Sequence, residues 1–319
     1  MSTLIHRVPT PSTPPVLTQG LRPFFLAAGF WSITALAIWI AMLTTGSTLP
    51  SRFDPLSWHI HEMMFGFVMA AIAGFLLTAI PNWTRRLPIN GRPLALLVGL
   101  WLLGRLVCLV SALVPFWLAV AADLAFPAVL VAVAAREIVA GRNWRNLPMV
   151  VPVSVLGVAS LMMHLETGGF AVPAGLGWRL GLVAVIILIS VVAGRIVPSF
   201  TRNWLAKRGS FELPSVHGLV DRAALGILHL GLLAWAFDLE ARFVGPMLML
   251  GAALNFWRML RWRGGATSAE PLLMVLHVGY GWLVIGVGLL GLPRVASRCR
   301  LARQSIHSRR APSGRWFWR

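Results

Sequence analysis

Ten ionisable side chains fall inside or at the mouths of long apolar runs: His59, His61, Glu62, Arg105, Asp123, His164, Arg195, Asp221, His229 and His277. Such groups are costly in hydrocarbon and so are kept for a task. The densest group is "SWHIHEMMFGF", residues 57–67, with two histidines, a glutamate and two methionines. Imidazole and thioether together suit copper, and imidazole suits haem iron. On a regular helix His59 and His61 point some 200° apart; His59 shares a face with Glu62 and Met63, and His61 with Met64 and Phe65. The bland alternative is a pair of interfacial histidines bonded to loop carbonyls. His164, in "SLMMHLE", falls at the same membrane depth as His59 and His61. His229 and Asp123 lie at mid-span, where an Asp–His pair is either a metal orienter or a polar lock. His277 has Tyr280, the chain's only tyrosine, three residues on. Arg105 and Arg195 either pair with Asp123 or Asp221 or neutralise the propionates of a haem. The candidate cofactor-binding set is therefore His59, His61, His164, His229, His277 and Arg105. No HExxH, P-loop or GxSxG occurs, so hydrolytic and nucleotide-driven chemistry have no support. Two cysteines, Cys108 and Cys299, give no CxxC and no disulfide framework.

These residues must be positioned by membrane helices. The 319-residue chain is 57% hydrophobic and 12% charged, with mean hydropathy +0.76. The apolar runs have the length of spanning helices and lack the alternation of membrane strands. We expect an all-α, polytopic membrane bundle with nine spans, near 22–45, 58–80, 94–114, 116–139, 148–166, 178–197, 217–238, 241–260 and 270–292. Residues 1–20 hold Pro9, Pro11, Pro14 and Pro15 and no apolar signal run; they read as a disordered arm. The net charge of +18 could point to nucleic acid, but the arginines stand at the ends of apolar runs, as topology signals do. Even-numbered connections and the arm carry fourteen Lys and Arg, and odd-numbered connections three. That bias predicts a cytoplasmic N-terminus and puts "SWHIHEM" at the outer surface.

Two further patterns bear on organisation. Pro81–Arg85 (PNWTR) and Pro198–Arg202 (PSFTR) match at the ends of spans 2 and 6, so a four-helix repeat competes with chance. Residues 294–319 hold eight arginines and no acid or lysine. This tail, expected to be unstructured, reads as a frameshift or truncation product, or else as a basic lipid- or nucleic-acid-binding segment.

Taken together, "GLRPFF", "WHIHEMMFGF", "AGFLLTAIPNWT", "GRNWRNLP", "GRIVPSFTRNWL" and "LHVGYGWL" resemble the NnrS family, over about residues 20–293. The resemblance implies a bacterial inner-membrane protein of twelve spans that binds copper and a haem, of b type, and acts in the nitric oxide response and relief of nitrosative stress in denitrifying bacteria. It implies a redox or nitric-oxide-handling role with no settled reaction, and the lipid bilayer, haem, copper and nitric oxide as partners. Carried over, the metal-binding histidines are His59 and His61 of the "WHxHEM" pattern and His277 of "LHxGY". The family pattern stops at Pro293, and three expected spans with their histidines do not follow. Two other readings stay open: a transporter built of repeats, with Pro115, Pro127 and Pro246 at or within spans, and a remnant that has lost its C-terminal ligands.

Overall fold

The computed structural model describes residues 14–214 and 218–309, with side chains described as far as 292. Among these residues the protein is all-helical, with no strand. Nine segments are long and apolar enough to cross a membrane: Leu21–Thr45, Pro55–Thr84, Gly91–Leu109, Phe116–Ala140, Trp144–Thr167, Leu176–Lys207, Leu219–Ala236, Ala241–Leu260 and Pro271–Leu292. They fall on the nine expected spans. Helices α1 (Leu21–Thr45), α2 (Pro55–His61), α3 (Met69–Thr84), α4 (Gly91–Leu109), α5 (Phe116–Ala140), α6 (Val150–Thr167), α7 (Leu176–Lys207), α8 (Leu219–Ala236), α9 (Ala241–Leu260) and α10 (Pro271–Arg309) carry them. The chain divides into two compact units, residues 1–185 and 186–319.

In the first unit, α1 exposes Leu26, Phe30, Ile33 and Leu43 outward, while Phe24, Ala28, Trp31 and Ala35 are buried. An apolar exposed face of this extent is what lipid tails cover. Helix α1 stops at Gly46, whose φ of 70° is the left-handed cap that glycine adopts without strain. Helix α2 starts on Asp54, whose Oδ1 accepts from the amides of Leu56 (3.0 Å) and Ser57 (3.1 Å), with Pro55 in the first turn. Partial burial works against the charge on Asp54, but these bonds and the Ser57 side chain hold its carboxyl below the ordinary carboxylate range. The cap's contribution is thus present at neutral pH and lost only as the pH falls through that lowered value. Asp54→Ala should cost about 1 kcal/mol, the usual loss for a helix cap, read as a shift of the unfolding midpoint in mixed micelles.

Between α2 and α3 the chain takes a π-helical course over Glu62–Val68. The regular α-helix expected from the sequence is therefore corrected over this stretch. Wider turns of i→i+5 bonding bring residues four and five apart onto one face, so His61, Glu62, Phe65 and Gly66 all point inward. Trp101 Nε1 donates to the carbonyl of Gly66 at 3.0 Å across this widened stretch.

In the second unit α8 and α9 form a hairpin and α10 packs on α9. Arg258 on α9 donates to Asp221 on α8 (3.0 Å) and to Tyr280 on α10 (3.1 Å), and the Tyr280 hydroxyl donates to Asn255 (2.7 Å). These buried side chains tie three helices together.

The two Pro-x-aromatic-Thr-Arg segments differ locally. The first closes α3, with Arg85 in the left-handed conformation (φ 57°) and Pro88 following soon after. The second lies inside α7, because "NWLAK" after Arg202 continues the helix. Of the arm expected over 1–20, residues 1–13 lie outside the described residues; Pro15–Leu17 form a 3₁₀ turn, to which Arg22 donates at the Pro15 carbonyl (2.8 Å). The tail expected to be unstructured differs as well: the backbone of 294–309 continues α10, since no proline or glycine interrupts "RVASRCRLARQSIHSR". Residues 310–319 lie outside the described residues, as do His6 and His217.

Candidate functional site

The first unit encloses a cluster contributed by five spans. Its side chains are almost entirely shut off: His61, Glu62 and Cys108 are 0% exposed, Asp123 2%, and Arg105 and His164 3% each. Arg105 Nη1 donates to both oxygens of Glu62 at 2.8 Å, and Nη2 reaches Asp123 Oδ1. Trp31 on α1 donates to Glu62 Oε2 at 2.8 Å. Glycines admit this crowding. A Cβ on Gly66 would stand 2.5 Å from Trp31 Nε1, and one on Gly104 would stand 3.1 Å from Asp123 Oδ1.

His61 is the hub. Its Nδ1 faces Glu62 Oε1 at 3.1 Å. Its Nε2 faces Ser160 Oγ at 3.1 Å and Asp123 Oδ2 at 3.3 Å. Ser160 donates its own proton to Asp123 Oδ2 at 2.6 Å, so towards His61 its oxygen can only accept. His164 Nε2 also meets Asp123 Oδ2, at 3.1 Å. Both nitrogens of His61 therefore face acceptors, which calls for a positive charge at the ring: a second proton, or a metal cation in place of the proton at Nε2. The charge count asks for the same thing. With both carboxylates ionised, Arg105 balances only one of Glu62 and Asp123. One negative charge is left over in a buried site, where unpaired charge is expensive.

Four side chains of the cluster lie close enough together to be candidate metal ligands. One ligand atom each from His61, Cys108, Asp123 and His164 lies within 4.8 Å of the others. Two imidazoles, a thiol and a carboxylate form a set that suits copper or zinc. Phe53 closes the site from the α1–α2 connection, with its ring 4.8 Å from that of His61 and 5.0 Å from that of His164.

The structure thus divides the sequence candidates. His61, His164 and Arg105 come together, and Asp123 and Glu62 join them. His59 lies two residues away from His61 yet outside this cluster: its ring stacks on Trp39 at 4.1 Å, and its buried Nδ1 has no partner among the described residues. Asp123 pairs with His61, His164 and Arg105. In the second unit, His229 Nε2 bonds Ser190 Oγ at 2.8 Å, and His277 Nε2 bonds Thr201 Oγ1 at 3.0 Å. Cys108 and Ser160 were missed. The signal was there: Cys108 follows Arg105 by three residues and Ser160 precedes His164 by four, spacings that share a helix face.

A profile of the NnrS protein family matches residues 15–309. The chain belongs to the NnrS family. The match extends past Pro293, where the quoted motifs end. No curated protein matches the chain, and no solved structure does. For an NnrS protein the all-helical membrane architecture and a buried candidate metal site are thus on the same chain.

Proposed function

We propose that this NnrS chain is a copper-binding membrane protein of the nitric oxide response, with the metal held by His61, His164, Cys108 and Asp123. The observation that carries the proposal is the convergence of four buried ligand-type side chains, with one atom each of His61, Cys108, Asp123 and His164 within 4.8 Å of the others. Copper bound there would supply one-electron redox chemistry and an affinity for small ligands. The protein's own part is to orient and exclude. Glu62 fixes His61 through Nδ1, leaving Nε2 for the metal, and Arg105 holds Glu62 and Asp123 in place. Ser160 orients Asp123, and Phe53 keeps water out. Serving as an outer-shell support of this kind is the usual role of carboxylates and hydroxyls around metal-binding histidines.

Of the metal histidines implied by the resemblance, His61 is in this set; His59 stacks on Trp39 outside it, His277 belongs to the second unit, and His164 joins His61. Haem, which the resemblance also implies, has no comparable support. The Nε2 atoms of His61 and His164 are turned to Ser160 and Asp123, and the Phe53 and Phe65 rings stand within 5.0 Å of His61. The Nε2 atoms of His229 and His277 are likewise bonded to hydroxyls. All four Nε2 atoms are thus bonded to protein side chains, while the Nδ1 of His277 is buried with no partner among the described residues. The excess of Lys and Arg in the even-numbered connections supports a cytoplasmic N-terminus in a bacterial inner membrane, with the site towards the outer face.

The test is to express the protein with haem and copper supplied, purify it in detergent and measure both. The expected result is one copper per chain, with protection of the producing cells against a nitric oxide donor. Copper-free protein that stays copper-free on titration would overturn the proposal.

A further inference from the structure

A cavity of about 360 Å³ lies beside the cluster, between the end of α1 and the start of α2. Met42, Thr48, Leu49, Ser51, Arg52, Phe53, Asp54, Pro55 and Trp58 line it. Its lining is mixed: the Met42 thioether is a soft ligand, the Asp54 carboxylate a hard one, and Trp58 has a buried indole N–H with no partner among the described residues.

Phe53 is the lining residue whose ring meets both His61 and His164. It is held by anchors on both sides. Ser51 Oγ donates to the Cys108 carbonyl (2.9 Å), and the Arg52 amide donates to Ser111 Oγ (2.9 Å). The Arg52 guanidinium is spent on the carbonyls of Ser111 (2.9 Å) and Val114 (3.0 Å). On the far side Asp54 is fixed as the α2 cap. The backbone of 51–54 is thereby pinned, while the Phe53 side chain between the pins has only dispersion contacts to hold it. Opening the site by this one buried ring moves fewer atoms than moving the pinned backbone.

We propose that this cavity is the access chamber for the metal ion, that Phe53 is its gate, and that Met42 is a transient ligand for a soft cation of the copper(I) class. The proposal rests on the copper reading above. In the closed position the Phe53 ring, which lines the chamber together with Met42, stands against the His61 and His164 imidazoles. Swinging it aside would join the chamber to the buried ligand atoms without disturbing the Arg105 network.

Cys108 provides a readout that needs no copper. In a Cys299→Ser background it is the one remaining thiol, so its rate of reaction with N-ethylmaleimide in metal-free protein reports how often the gate opens. Phe53→Ala should raise that rate by about tenfold or more, as expected when access is limited by local opening. Leu49→Trp, which fills the chamber, should slow it, and the Met42→Leu variant should take up copper(I) more slowly while reaching the same final content. A wild-type labelling rate in Phe53→Ala, or in Leu49→Trp should the first variant fail to fold, would overturn the proposal. The copper content of the unmodified protein is measured separately, so failure of the copper reading is distinguishable from failure of the gate.

Discussion

Replacing Arg105 by methionine should lower unfolding stability by about 3–5 kcal/mol, the loss typical when one partner of a buried ion pair is removed. Its guanidinium is 3% exposed and faces two carboxylates, so methionine fills much of the volume and strands Glu62 and Asp123 together. Arg105→Lys should recover only part of the loss. A lysine keeps the charge but has no planar fork to span Glu62 and Asp123 at once. Titration with dodecyl sulfate in mixed micelles reads the difference as a lower unfolding midpoint. A midpoint within about 0.5 kcal/mol of wild type in Arg105→Met, the range of an ordinary surface change, would mean that the cluster is not the buried ion network described.

The second large effect concerns the metal. His61→Ala and His164→Ala should each lower copper affinity by about 10–100-fold or more, since loss of even an outer-shell partner has that effect. His229→Ala and His277→Ala, whose imidazoles bond Ser190 and Thr201, should keep the wild-type content. His59→Ala should also keep it, although His59 lies in the same short motif as His61. Competition with a copper chelator of known affinity gives the numbers. Full retention in both His61→Ala and His164→Ala would remove these residues from the site.

The contrast between His59 and His61 shows how far the sequence could be read. The nine spans were legible because length and hydropathy suffice for a membrane helix. The importance of "WHIHEM" was legible because its side chains are expensive where they stand. The direction in which those side chains point was legible only in part. The divergence of His59 and His61 follows from their two-residue spacing on α2, but the turn of Glu62 towards the His61 side depends on the π-helical stretch Glu62–Val68, whose register shift leaves no compositional mark. Cys108 was passed over because a lone buried cysteine is usually a small apolar filler; its partners come from other spans, which the sequence does not align. His164 was placed at the depth of His61 from span boundaries alone, and the two rings do meet, with centroids 5.2 Å apart. The continuation of α10 into 294–309 was hidden by composition: an arginine-rich run looks unlike the helix before it yet contains nothing that ends a helix.

The most direct test is copper-edge X-ray absorption on the copper-loaded protein, compared with the Cys108→Ser variant. The expected result is scattering from two imidazoles and one sulfur in the unmodified protein, with the sulfur contribution lost in the variant. A spectrum with no imidazole scattering, or one unaltered by Cys108→Ser, would contradict the ligand set of His61, His164, Cys108 and Asp123.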